Sequence, residues 1–243
     1  LDAPLTSDVE TLVKPNSRWV GVVERSADAG ALAAQAWAAT HGPAPAPVSL
    51  ILPADAAWGD GGVDGAAPTP TLLPLPAGRI AATAAALRRA TKPVLLGAGP
   101  ALETDAGLDA LARIAGAGVE VKIDTFVSRI ARGAGRFAPG RLGYFGEQAL
   151  AELTGCDLLI TAGTDPPVAF FAYPGRPSRL TPDGCATLSL AHPDEASPQA
   201  LAALADALGA PPAAATPARV PDAPKGDLFP ASLAASIARH LPE

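Results

Sequence analysis

Four short stretches of this chain are almost wholly apolar: residues 48–52 (VSLIL), 93–98 (PVLLGA), 157–162 (DLLITA) and 186–190 (ATLSL). A strand with one wet face alternates apolar and polar residues. Runs without alternation predict strands covered on both faces, which is the environment of a parallel sheet between helices. Alanine- and leucine-rich segments of helical spacing separate these runs, and a fifth strand, residues 119–123 (VEVKI), lies among them. Strands that alternate with helices predict an α/β fold built on a parallel sheet.

The order of the segments predicts more than one domain. Residues 18–23 (RWVGVV), a helix capped by Ser26 with Asp28 in its first turn, and the strand at 48–52 form one strand–helix–strand unit. Residues 59–78 then hold five glycines and four prolines in 20 positions, which reads as an interdomain linker. From 79 to 208 the pattern is regular. A helix over 79–90 is followed by the strand at 93–98, a helix from a Thr104 cap closed by Gly116, and the strand at 119–123. A helix over 145–153, the strands at 157–162 and 186–190, and a helix capped by Ser197 with Pro198 behind it complete the series. This is a Rossmann-like central domain. Residues 209–224 carry five prolines in 16 positions and form a second linker, ahead of a helix over 230–240. The chain starts without Met, and residues 1–58 supply only part of a sheet. The sequence therefore reads as a fragment that begins inside one α/β domain.

Composition restricts the function classes. A net charge of −6 argues against a nucleic-acid footprint, and no apolar run reaches the ~18 residues that span a bilayer. Without a signal-peptide pattern, a cytoplasmic protein is expected. Cys156 and Cys185 each open a buried strand and read as reduced, structural thiols. His41, His192 and His240 are too scattered for a metal site.

Three motifs bear on binding. Residues 92–107 (KPVLLGAGPALETDAG) run strand, glycine turn, helix, so Gly97 and Gly99 could bring backbone N–H groups to a phosphate. Leu102 stands where GxGxxG needs its third glycine, however, and Glu103 and Asp105 put negative charge there. A tight turn without ligand is the plainer reading. Residues 162–178 (AGTDPPVAFFAYPGRPS) leave the carboxyl end of a strand, where Gly163, Thr164 and Asp165 could face a nucleotide. Phe170, Phe171 and Tyr173 either grip an adenine or anchor the loop by packing, and packing is favoured. The glycine-rich loop at 133–146 lies near Arg129, Arg132, Arg136 and Arg141, which could meet phosphates, form a solvated face or pair with acids. No catalytic set of Ser/His/Asp, paired carboxylates or metal ligands stands out.

Taken in order, LILPADAAWG, the proline-rich linker, KPVLLGAG, DLLITAGTDPPVAFFAYPG and FPASLAASIARHLPE resemble the thiamine-diphosphate-dependent 2-oxo acid enzymes. That family includes acetolactate synthase large subunits and benzoylformate decarboxylase. The resemblance implies that residues 1–58 end a pyrimidine-binding domain, 79–208 are the central domain, and 209–243 lead toward a pyrophosphate-binding domain. It also implies thiamine diphosphate and Mg²⁺ in an intact parent, a small 2-oxo acid substrate such as pyruvate, and a homodimer or homotetramer. Neither nucleic acid nor membrane is expected as a partner.

In the family, the activating glutamate and the Gly-Asp-Gly metal motif belong to regions outside this chain; Gly59-Asp60-Gly61 lies in a linker and lacks that setting. No catalytic or metal-binding residue is therefore expected within the 243 residues. Arg18 falls near a substrate-channel lysine of the synthases. The flavin-binding members carry a Gly-Ala-Arg-Phe-Asp-Asp-Arg-like run where this chain reads Gly163-Thr164-Asp165-Pro166-Pro167-Val168, which speaks against FAD. A benzoylformate-decarboxylase-like reaction and a non-catalytic nucleotide-binding or interaction module are the alternatives.

Overall fold

The computed structural model describes residues 4–41, 46–69, 72–133, 135–212, 217 and 220–241. They form two compact units, Leu1–Leu75 with Pro193–Ala196, and Pro76–His192 with Ser197–Glu243.

In the first unit, a short helix α1 (Val9–Val13) precedes strand β1 (Trp19–Val22), helix α2 (Ala29–His41), strand β2 (Val48–Ile51) and helix α3 (Ala54–Trp58). The two strands pair in parallel, from Trp19 opposite Val48 to Val22 opposite Ile51, with α2 as the crossover. The Ser17 and Ser49 hydroxyls meet across the pair at 2.8 Å. The apolar run at 48–52 predicted a strand covered on both faces. Instead β2 is only half-buried along its whole length, because among the described residues β1 is its one neighbouring strand.

Ser26 does not cap α2. Residues Ser26–Asp28 form a 3-10 turn, and the Ser26 hydroxyl donates to the Ala56 carbonyl at 2.6 Å. The Asp28 carboxylate instead takes two hydrogen bonds from Arg25, at 2.8 and 2.9 Å. The glycine-rich stretch after α3 is packed where it passes α2. A Cβ at Gly30 would run into the Val63 carbonyl, and one at Gly65 into the Gly30 carbonyl. Only glycines allow two backbones this close.

The second unit opens with helix α4 (Arg79–Leu87), then strand β3 (Pro93–Gly97), helix α5 (Asp105–Gly116), strand β4 (Glu120–Ile123) and strand β5 (Gly140–Arg141). Helix α6 (Gly146–Glu152), strand β6 (Leu158–Ala162), strand β7 (Ala186–Ala191), helix α7 (Ser197–Ala207) and helix α8 (Pro230–His240) follow. All five strands are parallel, in the order β5-β4-β3-β6-β7. This is the α/β sheet that the sequence predicts, and every residue of β3 and β6 is buried.

Alternate residues of these strands face two layers. Val94, Leu96 and Leu159 pack with Leu142, Ala149 and Leu153 on the side of α6. On that side the crossover from β6 to β7 has no helix; the loop over 163–185 covers the sheet instead, pinned by Leu180 and Ala169. Leu95 faces the other way, toward Leu111 of α5, on the side where α5 and α7 pack together. Lys122 of β4 joins the sheet to α6 through Glu152 at 3.0 Å, with Glu120 at 3.3 Å. Burial works to lower its pKa, but those two carboxylates outweigh it and leave the ammonium favoured.

Local signals were met unevenly. The Thr104 side chain caps α5 by accepting from the Gly107 N–H at 3.2 Å, as its sequence predicts. Gly116, expected to close that helix, is its last residue, and the left-handed residue just beyond is Gly118, at φ +91°. The Ser197 hydroxyl makes no cap: it is fully buried and has no hydrogen-bond partner among the described residues.

Two predictions follow from this packing. Gly30→Ala or Gly65→Ala should cost the first unit about 1–3 kcal/mol, since neither backbone can yield without breaking the crossing. Hydrogen exchange should show faster exchange of the β1 and β2 amides while protection of β3 and β6 stays unchanged. Separately, Asp157 accepts from the Thr91 N–H at 2.6 Å and the Lys92 N–H at 2.9 Å, bonds that hold its carboxyl below the ordinary carboxylate range. A depressed folded-state pKa adds stability above the unfolded value, lost as pH falls through the folded one. Below about pH 4, Asp157→Asn should therefore show a shallower loss of thermal stability than the parent chain.

Candidate functional site

The chain runs β3, β4, β5 toward one edge and returns to β6 and β7 on the other side of β3. The strand order therefore reverses between β3 and β6. In open α/β sheets ligands bind outside the carboxyl ends of the strands at that reversal. The structure brings Gly97, Gly99, Gly163, Thr164 and Asp165 to this place. Gly99 and Gly163 both have positive φ, +65° and +74°. A Cβ at Gly163 would strike the Ala98 carbonyl, so two turns cross there with no room for a side chain. The Ala98 N–H donates to Ala162 and the Gly163 N–H to Ala191, both between backbone groups.

The crevice is occupied by the chain itself. Ala98, Ala101, Leu102 and Thr164 are buried in it. The Thr164 hydroxyl donates to the Asp124 carboxylate at 2.6 Å, and the Ala131 N–H donates to the Leu102 carbonyl at 2.8 Å, tying the chain after β4 to the turn. Asp165 points away from this core and is exposed. Glu103 and Asp105 flank the Thr104 cap of α5, and two arginines, Arg129 ahead of the glycine-rich loop and Arg136 within it, pair with them. Arg136 reaches Asp105 at 2.6 Å, and Arg129 reaches Glu103 at 3.9 Å. Arg141 donates to the Thr125 carbonyl at 2.7 Å. A pyrophosphate would have to displace these acids from the positive end of the helix, so the residues present do not fit one.

Six of the eight phenylalanines and tyrosines gather in one surface cluster. Phe126 follows β4, Tyr144 and Phe145 precede α6, and Phe170, Phe171 and Tyr173 come from the loop after β6. Neighbouring rings lie 4.8 to 5.8 Å apart, several edge to face, which suits their quadrupoles. They pack on one another yet stay 38% to 59% exposed. A shallow depression sits among Tyr144, Leu150, Phe170, Phe171 and Tyr173, with the Arg176–Glu147 ion pair, 3.0 Å, at its rim. A contiguous apolar patch this large marks an interaction surface more often than a bare monomer face. The sequence shows the loop aromatics but not Phe126, Tyr144 and Phe145 as their partners, because the cluster forms only through the strand order.

Arg18, the substrate-channel candidate, stands exposed just before β1, and its N–H donates to the Pro47 carbonyl at 2.9 Å. That is the amino end of the strand. Among the described residues, no three His, Cys, Asp or Glu side chains come together in a metal-holding group. No helix among the described residues is long and apolar enough to cross a membrane.

Comparison with known proteins places this arrangement. No family model matches the chain. It is 41% identical over 248 residues to a candidate acetolactate synthase large subunit, IlvX, of Mycobacterium tuberculosis, a match that takes in 100% of this chain and 47% of that protein. Three solved structures share its fold. A candidate thiamin diphosphate-dependent enzyme from Mycobacterium smegmatis matches with TM-score 0.61 at 24% identity, over 87% of this chain and 43% of that one. A thiamine diphosphate-dependent 4-hydroxybenzoylformate decarboxylase of Rhodococcus jostii RHA1 matches with TM-score 0.60 at 22% identity, over 92% and 44%. Benzoylformate decarboxylase from Polynucleobacter necessarius matches with TM-score 0.58 at 21% identity, over 95% and 47%. The chain spans about half the length of the relatives it matches. Over that half its sequence is similar to a candidate acetolactate synthase large subunit, and its fold is shared with thiamine diphosphate-dependent enzymes of known structure.

Proposed function

We propose that these residues form the scaffold part of a thiamine-diphosphate-dependent 2-oxo acid carboligase or decarboxylase of the acetolactate synthase type, and that they do not catalyse by themselves. The observation that carries this is the 41% identity along the whole chain to a candidate acetolactate synthase large subunit. The packing supports the second half of the reading, since buried Ala101, Leu102 and Thr164 fill the reversal point.

In the whole protein, bound thiamine diphosphate would supply the carbanion chemistry that releases CO₂ from a 2-oxo acid such as pyruvate. This chain's part is to hold a rigid parallel sheet and to present the aromatic cluster, with Arg176 and Glu147 beside it, to another domain or subunit. We read the whole protein as a homodimer or homotetramer in the cytoplasm. The decarboxylases among the solved structures favour a second reading, a non-oxidative decarboxylase acting on an aromatic 2-oxo acid. The flavin expected of some synthases has no phosphate seat here, since Glu103 and Asp105 hold the helix start.

The test uses the purified 243-residue chain. With thiamine diphosphate, Mg²⁺ and either pyruvate or benzoylformate, neither CO₂ nor acetolactate should form above the protein-free rate. Turnover would overturn the scaffold reading. Calorimetry with FAD, ADP and NAD should give no micromolar binding; a saturable heat with any of them would reinstate the nucleotide-binding alternative.

A further inference from the structure

The two cysteines of the chain, 29 residues apart in sequence, lie side by side. Cys156 and Cys185 stand just ahead of the adjacent parallel strands β6 and β7, whose register sets Leu158 opposite Ala186. Their Sγ atoms are 3.6 Å apart, and both are free. Cys156 is buried at the edge of the α6-side core, whereas Cys185 is partly exposed. Before Cys185 the chain makes a tight turn through Pro182, Asp183 and Gly184. The Cys185 N–H donates to the Pro182 carbonyl at 3.1 Å, and Gly184 adopts φ +78°. The sulfurs must approach by roughly 1.5 Å to reach the ~2.05 Å of a disulfide bond. A surface turn on one side and a strand start on the other let that motion fall on the turn rather than on the sheet.

We propose that Cys156 and Cys185 are an oxidisable dithiol, a modification site that closes to an intramolecular disulfide by exchange with a small disulfide. Cys185, the accessible thiol, reacts first. Its thiolate attacks one sulfur of the small disulfide, whose S–S bond breaks; one thiolate leaves and takes up a proton, and a mixed disulfide stands on Cys185. The Cys156 thiolate then attacks the Cys185 Sγ, the mixed disulfide breaks, and the second small thiol leaves. The protein thiols lose two electrons, and the small disulfide gains them as two thiols.

Closure ties the amino ends of β6 and β7 together. It encloses the switch-point turn and the loop that carries Phe170, Phe171 and Tyr173. Burial first, and the neighbouring Cys185 second, push the Cys156 thiol up to about 12. The second step is therefore slow at neutral pH, and the pair stays reduced until an oxidant persists.

The experiment treats the intact chain, as the parent and as the variants Cys156→Ser and Cys185→Ser, with oxidised glutathione. Intact mass and non-reducing peptide maps are followed with time, and circular dichroism checks each protein's fold. The parent should become lighter by two hydrogen masses, with one cross-linked peptide joining Cys156 to Cys185. Its melting temperature should rise by on the order of 5 °C or more, as closure of a loop this long removes freedom from the unfolded chain. Cys156→Ser should stop at a glutathione adduct on Cys185, and Cys185→Ser should react far more slowly. Conversion of the mixed disulfide should quicken about tenfold per pH unit between pH 7 and 9, following the Cys156 thiolate. A folded parent that instead accumulates a stable adduct, forms disulfide-linked dimers or keeps both thiols would overturn the proposal.

Discussion

The pairing of β3 with β6 is the constraint on which the central unit depends. Pro93 through Gly97 sit opposite Leu158 through Ala162, and no residue of either strand reaches solvent. A strand pair buried on both faces can satisfy its polar backbone only through neighbours on both edges. That requirement places β4 beyond β3 and β7 beyond β6, and it calls for a layer on each face. One layer is α5 with α7; the other is α6 with the loop over 163–185. Since β3 and β6 are separated in sequence by β4, β5 and α6, the chain must reverse between them, and the reversal makes the crevice.

The same pairing explains why the crevice is a poor nucleotide seat. The turns leaving β3 and β6 come so close that Gly163 has no space for a Cβ beside the Ala98 carbonyl. Ala101 and Leu102, in the 3-10 turn after β3, are fully buried and leave that turn packed. Two of the arginines that could have countered phosphate are already paired. Arg129 and Arg136 neutralise Glu103 and Asp105, closing the loop over the helix start instead of holding it open. Glycines at a switch point therefore signal close backbone crossing as readily as ligand binding.

How much was legible in the sequence depended on whether the signal was local. The strands β3 and β6 read directly as buried, because an unbroken apolar run within a glycine- and proline-punctuated chain has few other fates, whereas β2 and the exposed start of β7, read the same way, are only partly covered. Helix α8 was also read to its limits, with Pro230 opening it and His240 closing it. Thr104 behaved as a cap because its hydroxyl had only the local backbone to bond. Ser26 and Ser197 look the same in sequence, but Ser26 turns to the Ala56 carbonyl and Ser197 is sealed in the core. The two-residue strand β5 is too short to leave a pattern. The crossing of Gly30 with Gly65, the aromatic cluster and the nearness of Cys156 to Cys185 are tertiary facts. Each joins residues far apart in sequence, and no periodicity records which strand lies beside which.

These features set a closed interior against an apolar patch on the surface. Inside the central unit, polar groups are largely met and apolar side chains interdigitate around Leu95, Leu96, Leu159 and Ile160. At its surface, six aromatic rings lie together and remain more than a third exposed. Rings that satisfy one another edge to face lose little by being wet, yet the apolar surface they leave exposed is worth roughly 25 cal/mol per Å² when another surface covers it. Such a patch beside a sealed crevice favours contact with another folded surface over capture of a small charged ligand. What this chain brings to such a contact is the rigidity with which the β3–β6 pair holds the sheet beneath the patch.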